Sequence, residues 1–147
     1  WGGLENEDVY ADETTQRMFA APYRYSCAVT AHALVESGMN EQAAGLVRMC
    51  TQKIPATQIL PDDYWISLTD AAWMSGDNAL GNDLADQAFQ HFMQCIIWYR
   101  SMPKPSIDMG EKIYQVQLLY AMASDYGEVE LAEKWKKEMD KNGVAVE

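Results

Sequence analysis

Three short segments of this 147-residue chain share a glycine that is followed five residues later by a small residue. The segments are SGMNEQA at 37–43, SGDNALG at 75–81 and YGEVELA at 126–132. A glycine allows a helix to end in the left-handed conformation, and a small side chain allows the next helix to approach closely. The pattern therefore predicts pairs of antiparallel helices joined by tight turns.

Residues at fixed distances from these glycines are predicted to pack between the paired helices. They are Cys27, Trp65 and Val116 (eleven before the glycine), Thr30, Leu68 and Leu119 (eight before), Leu34, Ala72 and Ala123 (four before), and Cys50, Ala88 and Met139 (twelve after). The spacing resembles that of the tetratricopeptide repeat, in which small residues lie where two helices cross. The intervals between the glycines are longer than in that repeat, and Lys136 stands where the other two units place Val47 and Ala85.

Helix signals cover most of the chain, whereas the alternation typical of strands never persists. We predict six helices, at 12–37, 40–53, 61–75, 77–102, 107–126 and 128–142, with Pro22 expected to kink or delay the first. The predicted fold class is therefore all-α, with about six helices in antiparallel hairpins stacked as a tetratricopeptide-like right-handed array. Residues 1–11 are predicted to form an N-terminal arm and residues 12–147 the helical-hairpin domain.

Composition excludes several classes of partner. The net charge of -11 and the pI near 4.5 argue against binding to nucleic acid or to anionic membrane surfaces. No apolar run approaches the roughly 20 residues that a membrane-spanning helix needs, so direct membrane insertion by this chain is not expected. Cys27, Cys50 and Cys95 contain no C-x-x-C pair and are interpreted as small buried hydrophobes, with their redox state left open.

Catalytic and metal-binding motifs are missing from the sequence, which has no H-E-x-x-H, G-x-S-x-G, P-loop or G-x-G-x-x-G pattern. His32 and His91 lie on different predicted helices and are interpreted as ordinary helix-face residues. The acid pairs at 12–13 and 62–63 open helices, where carboxylates cap the free backbone amides and favour the helix dipole. The sequence therefore predicts no catalytic residue, no metal site and no cofactor.

A binding groove is the functional feature that the repeat interpretation does predict. In a tetratricopeptide-like array the first helix of each hairpin lines a concave groove, which here is predicted to be faced by residues thirteen, ten, six and three before each glycine. The candidate binding residues are Tyr25, His32, Asp63, Asp70, Trp73, Tyr114 and Gln117, with Ala28, Val35, Ile66, Ala121 and Ser124 between them. Such a groove would suit a peptide or a sugar; in the alternative interpretation, the fourth helix or the N-terminal arm fills it.

The N-terminal segment carries a resemblance to a known family. Its matching residues are Gly3, Leu4, Val9, Tyr10, Asp12, Glu13, Thr14, Arg17 and Met18, followed by Pro61, Asp63 and Tyr64 in IPATQILPDDYW and by the long ADQAFQHFMQCIIWYRSM segment. This pattern resembles the soluble C-terminal tetratricopeptide-like region of Bacteroidetes-type multi-pass membrane proteins, whose membrane part is similar to protein O-mannosyltransferases. The resemblance covers most of the chain, and its first motif is the specific one.

The resemblance implies a non-catalytic accessory or interaction domain of a membrane-embedded glycosyltransferase-like protein, on the periplasmic face of the inner membrane. We accordingly expect the chain to be a piece of a longer protein, with any transferase active site upstream. Its expected partners are the upstream membrane domain and an acceptor protein, glycan or partner subunit. The alternative is a free-standing peptide-binding helical scaffold in the cytoplasm. Within the arm, Leu4, Val9 and Tyr10 are expected to dock on the helical body.

Overall fold

The computed structural model describes residues 5, 6, 8, 10–104 and 106–145. Its regular elements in this part of the chain are all helical, which confirms the predicted all-α class. They are α1 (Glu13–Thr15), a π-helical turn (Gln16–Ala20), α2 (Ala21–Glu36), α3 (Asn40–Lys53), α4 (Asp63–Met74), α5 (Asn78–Ser101), α6 (Asp108–Asp125) and α7 (Val129–Lys141). The stacking of their hairpins as a tetratricopeptide-like right-handed array stays a prediction.

The first predicted helix is continuous from α1 through the π-helical turn to α2. Asp12 caps its start, because the Asp12 carboxylate accepts a hydrogen bond of 2.7 Å from the Thr15 amide. Proline has no backbone N–H, and its ring clashes with the carbonyl four residues earlier in a regular α-helix. Just before Pro22, the Ala21 amide bonds to the Gln16 carbonyl, five residues back. The helix therefore accommodates Pro22 by a single wider turn, the form in which the rare π-helix mostly occurs.

Four glycines end helices in the left-handed conformation, and three of them are those of the predicted turn pattern. Their φ angles are 74° at Gly38, 84° at Gly76, 77° at Gly127 and 65° at Gly143. After each glycine the next amide bonds to the carbonyl five residues back, as in the 2.8 Å bond from Met39 to Leu34. This arrangement satisfies a carbonyl that the end of the helix would otherwise leave without a partner.

The chain divides into two compact units, Trp1–Leu84 and Ala85–Glu147. In the first unit α2 packs against α3 and α4, and α3 also packs against α4. Most of the residues predicted to lie between its helices are buried, but Thr30 is exposed, so that prediction is wrong. Because α2 has two helical neighbours, its buried stripe runs instead through Cys27, Ala28 and Ala31.

In the second unit, α6 packs against α7. Four of the residues predicted to pack between its helices are fully buried: Val116, Leu119, Ala123 and Met139. Lys136 is exposed, and the neighbouring Trp135 fills the core instead, stacking on Phe89 with 4.6 Å between ring centroids and 5° between ring planes. The single domain predicted for residues 12–147 stays a prediction.

Asp86 holds Trp135 in this second unit, and its replacement tests that contact. The carboxylate accepts hydrogen bonds from Trp135 Nε1 at 2.9 Å and from Lys134 Nζ at 2.8 Å. Burial raises the pKa of Asp86, but the bonds from Lys134 and Trp135 outweigh burial and leave that pKa below its usual 3.8. We expect Asp86→Ala to lower the free energy of unfolding by about 2 kcal/mol, because the indole N–H loses its acceptor.

Asp86→Asn should lower the free energy of unfolding less than Asp86→Ala does, since an amide oxygen can still accept the hydrogen bond from Trp135. Because the folded pKa is depressed, the charged form of Asp86 contributes its stability above pH 3.8, and the contribution falls as pH drops further. Urea unfolding at pH 7 and at pH 3 should therefore show the gap between wild type and Asp86→Asn narrowing in acid. The exposed Glu133 provides a charge-matched control, Glu133→Gln. An equal effect of the two amide substitutions at pH 7 would contradict the role of Asp86.

The described part of the N-terminal arm contacts the helices and linker of the first unit through polar groups and through Ala11. Glu5 pairs with Lys53 at 3.0 Å, and Gln58 Nε2 donates to the Asn6 carbonyl at 2.9 Å. Ala11 is buried in a small cluster with Ala20, Ile54, Ile59 and the half-buried Tyr23. Tyr10 is 88% exposed, so the expectation that it docks is wrong. The inward position of Ala11 leaves its neighbour in solvent; the same expectation for Leu4 and Val9 lies outside the described residues.

Candidate interaction face

Two predicted groove residues of α2 lie beside α4. Tyr25 contacts Tyr64, with 5.4 Å between ring centroids and a tilt of 58° between ring planes. His32 lies farther along α2, and its Nε2–H donates to the Ser67 carbonyl at 3.2 Å. The same nitrogen lies 3.6 Å from Asp70 Oδ2. We name this surface the α2–α4 face and define it by Tyr25, Val29 and His32 of α2 and Tyr64, Ser67 and Asp70 of α4.

The contacts across this face show how the two helices run. Moving from Tyr25 to His32 along α2 corresponds to moving from Tyr64 to Asp70 along α4. The two helices are therefore parallel, with side chains one helical turn apart repeating along the face. Such a surface is a shallow strip parallel to the helix axes.

The apolar groups on the face are accessible to solvent. Tyr25 is 53% exposed, Val29 51% and Tyr64 37%, although the two tyrosine rings touch each other. Aromatic side chains with this exposure supply large contact areas at little entropic cost when a partner covers them. The face therefore combines apolar surface at one end with the His32–Asp70 pair at the other.

The structure places the other two candidates of α4 differently. Asp63, the first residue of α4, is exposed next to Tyr64, while its neighbour Asp62 caps the helix by accepting from the Trp65 amide at 2.9 Å. Trp73 is only 3% exposed, so its prediction as a groove residue is wrong. Its indole N–H donates to Asn82 Oδ1 at 2.9 Å, and its ring lies over Gly81.

The remaining two candidates lie on α6, in the second unit. Tyr114 is 63% exposed. Gln117 is half-buried, and its Nε2 donates to the Ala145 carbonyl at 2.8 Å, near the end of the described chain. Gln117 thus has a structural contact of its own, whereas Tyr114 offers an accessible ring.

Sequence reasoning missed Arg24, which is fully buried on α2. Its Nη1 donates to the Leu60 carbonyl at 2.9 Å, and its Nη2 donates to the carbonyls of Ile59 at 2.7 Å and Ile54 at 3.2 Å. Those carbonyls belong to the proline-bounded linker between α3 and α4. The available signal was a charged residue at position 24 on the same helical stripe as positions 27, 28 and 31.

The charge of Arg24 is also compensated. Its guanidinium lies 3.5 Å from Asp62 Oδ2 and 4.7 Å from the ring centroid of Trp65. Burial lowers the pKa of Arg24, and the carboxylate of Asp62 opposes that shift. An arginine remains protonated in this setting, because its usual pKa lies far above neutrality. Arg24 is a structural clamp.

A cysteine–histidine pair on α5 also went unpredicted. His91 and Cys95 lie one turn apart, and Cys95 Sγ is 3.7 Å from His91 Nε2. Burial raises the pKa of Cys95 and lowers the pKa of His91. Both shifts favour the neutral forms, whereas a catalytic cysteine needs the thiolate. The pair is therefore not prepared for nucleophilic chemistry.

Within the described ranges, no group of three or more histidine, cysteine or acidic side chains could hold a metal ion. The helices of that same part of the chain include none that is both long and apolar enough to span a bilayer. Comparison with protein-family models, with curated proteins and with solved structures finds no match for this chain. The features of the chain that bear on its function are therefore the α2–α4 face and the resemblance of its N-terminal segment.

Proposed function

We propose that this chain is a non-catalytic interaction domain and that the α2–α4 face binds an extended peptide segment of a partner protein. The observation that carries the proposal is the exposed Tyr25–Tyr64 pair on two parallel helices. An extended segment lying along such a strip could cover both rings and reach the His32–Asp70 pair. The two rings are tilted relative to each other, so they form a less suitable surface for a sugar, which stacks on a flat aromatic ring.

Charge indicates the chemistry of the peptide. Asp63 and Asp70 place carboxylates near the two ends of the face, and the whole chain carries a net charge of -11. A segment with lysine or arginine next to an apolar residue would complement this arrangement. Since exposed charges are screened by salt, the affinity should fall as ionic strength rises.

The resemblance supplies the wider setting of the proposal. In that setting the chain is an accessory domain of a membrane-embedded glycosyltransferase-like protein on the periplasmic face, and the bound segment belongs to an acceptor protein or partner subunit. A free-standing peptide-binding scaffold in the cytoplasm is the second candidate. It is favoured by the odd number of cysteines, which cannot all pair within the chain. Sequencing the coding region upstream of Trp1 separates the two: a series of apolar spans supports the first, and a nearby start codon supports the second.

Selection from a random peptide library displayed on phage tests the binding proposal. We expect the selected peptides to combine basic and apolar residues, and we expect the Tyr25→Ala/Tyr64→Ala variant to bind them about tenfold more weakly, because two contact rings are lost. Fluorescence anisotropy with the synthesised peptides measures the affinities. Tyr10→Ala is the matched control, since Tyr10 is an exposed tyrosine that does not belong to the face as defined.

Two outcomes would overturn this assignment. Peptides that bind wild type and the double variant equally would place the binding surface elsewhere on the chain. Failure of the selection together with specific binding on a glycan array, lost in the double variant, would replace the peptide by a sugar. Circular dichroism of the double variant should match wild type, because both rings are substantially exposed.

A further inference from the structure

We propose that Cys27 and Cys50 form a reversible disulfide that joins α2 to α3, made by exchange with a small-molecule or protein disulfide. The structure contains both cysteines in the reduced form. The proposal is independent of the α2–α4 face, because it concerns the contact of α2 with α3. It assigns a chemical role to two residues that the sequence suggested only as small buried hydrophobes.

The hairpin brings the two thiols together. Cys27 stands eleven residues before Gly38 and Cys50 twelve after it, so the two residues lie at matching heights on antiparallel helices. The register is fixed independently about one turn farther from Gly38, where Arg24 Nη2 donates to the Ile54 carbonyl at 3.2 Å. Each thiol also shifts the pKa of the other, lowering that of Cys27 and raising that of Cys50. Both residues are buried, and α2 packs against α3, so this register places the two thiols together in the core of the hairpin.

The surroundings distinguish the two sulfurs. The neighbouring Cys50 thiol lowers the pKa of Cys27 to about 7; burial opposes this shift, and Tyr23 supports it. The contact with Cys27, together with burial, raises the pKa of Cys50. The thiolate is the nucleophile in disulfide exchange, and its formation near neutral pH favours attack. Cys27 is also the more exposed of the two, so it is assigned as the attacking residue and Cys50 as the resolving residue.

The disulfide exchange takes place in two steps. The Cys27 thiolate attacks one sulfur of the external disulfide RSSR, forming a Cys27–SR mixed disulfide and releasing RS⁻, which takes up the proton that Cys27 lost. The Cys50 sulfur then attacks Cys27 Sγ, breaks the bond to SR and forms the Cys27–Cys50 bond. The second RS⁻ takes up the proton from Cys50. Two electrons pass from the cysteine pair to RSSR, which leaves as two RSH molecules.

Burial determines how the reagent reaches the pair. Cys27 is 5% exposed and Cys50 is fully buried, so exchange requires α2 and α3 to separate locally or takes place before the hairpin closes during folding. The experiment therefore follows both routes. The reduced chain is either incubated folded with oxidised glutathione or refolded from urea in the same reagent, and free thiols are then alkylated in denaturant.

We expect a mass decrease of about 2 Da before alkylation and a fall in alkylatable thiols from three to one. Peptide mapping should identify the Cys27–Cys50 linkage, and the oxidised chain should unfold at a higher urea concentration than the reduced chain, because the bond restricts the unfolded state. Addition of dithiothreitol should reverse both changes.

Two variants test the assignment. Cys95→Ala should still form the bond and should leave no alkylatable thiol. Cys50→Ala should stop at a mixed disulfide of Cys27 with glutathione, because the resolving thiol is missing. Three alkylatable thiols after both routes, or linkage of Cys95 in place of either partner, would overturn the proposal.

Discussion

Replacing Gly81 with alanine is expected to lower the free energy of unfolding by about 3 kcal/mol, at the upper end of the usual cost of overpacking a core. A Cβ atom at this position would lie 2.3 Å from Trp73 Cδ1 and 2.5 Å from Trp73 Nε1. The indole cannot easily move, because it is buried and bonded to Asn82. Urea unfolding monitored by circular dichroism measures the loss.

Gly45→Ala is the matched control and should change stability in the opposite direction. Gly45 lies within α3, and a Cβ added there meets no atom within 4 Å. Because glycine is a poor helix former, alanine at this position should stabilise the protein by about 1 kcal/mol. Destabilisation by both substitutions, or by neither, would contradict the packing of Trp73 over Gly81.

Arg24→Met is expected to lower the free energy of unfolding by about 4 kcal/mol, as is typical when one partner of a buried charge pair is removed. The substitution leaves the carbonyls of Ile54, Ile59 and Leu60 without their donor, and methionine cannot restore those hydrogen bonds. Chemical denaturation at neutral pH measures the effect.

Arg17→Met removes the same charge from an exposed position and serves as the comparison. Arg17 pairs with Glu13 at 3.3 Å, but both side chains are largely exposed. Exposed ion pairs contribute little to stability, so the free energy of unfolding of this variant should differ from that of wild type by less than about 0.5 kcal/mol. Similar losses for the two arginine variants would show that charge, and not the carbonyl contacts, accounts for the effect of Arg24.

Local signals were sufficient to predict the helices. Gly38, Gly76 and Gly127 each end a helix at positive φ, because the left-handed conformation is easily reached only by a residue without a Cβ. Asp12 and Asp62 likewise cap helix starts, as their acid pairs predict. These features depend on a few neighbouring residues, so a single sequence is enough to place them.

The site was harder to predict because it depends on which neighbour each helix face meets. Trp73 stands three residues before its turn glycine, at the position of Val35 and Ser124 in the other two hairpins. Five residues after the turn glycine, the hairpin of Trp73 has Gly81, whereas the other two hairpins have Ala43 and Ala132. The missing methyl group makes room for the indole, so the ring turns into the hairpin. A repeat alignment treats the three positions as equivalent and does not detect this compensation.

Tyr25 and His32 were predicted from the same alignment, and the structure places both on the α2–α4 face. Tyr64 was not among the candidates, because its offset from Gly76 differs by one residue from that of Asp63. One residue on a helix corresponds to a rotation of about 100°. A small error in register is therefore enough to exchange an aromatic contact residue for its acidic neighbour.

The clamp made by Arg24 has a consequence for how this protein can change over evolution. Arg24 contacts main-chain oxygens of the linker, which are present whatever side chains the linker carries. Within it, Ile54 and Ile59 are buried, but Thr57 and Leu60 project into solvent. Substitutions at these two exposed positions can accumulate without altering the path of the chain, whereas a change at Arg24 affects every contact at once. Divergence in the linker should accordingly be tolerated in any descendant that retains this arginine.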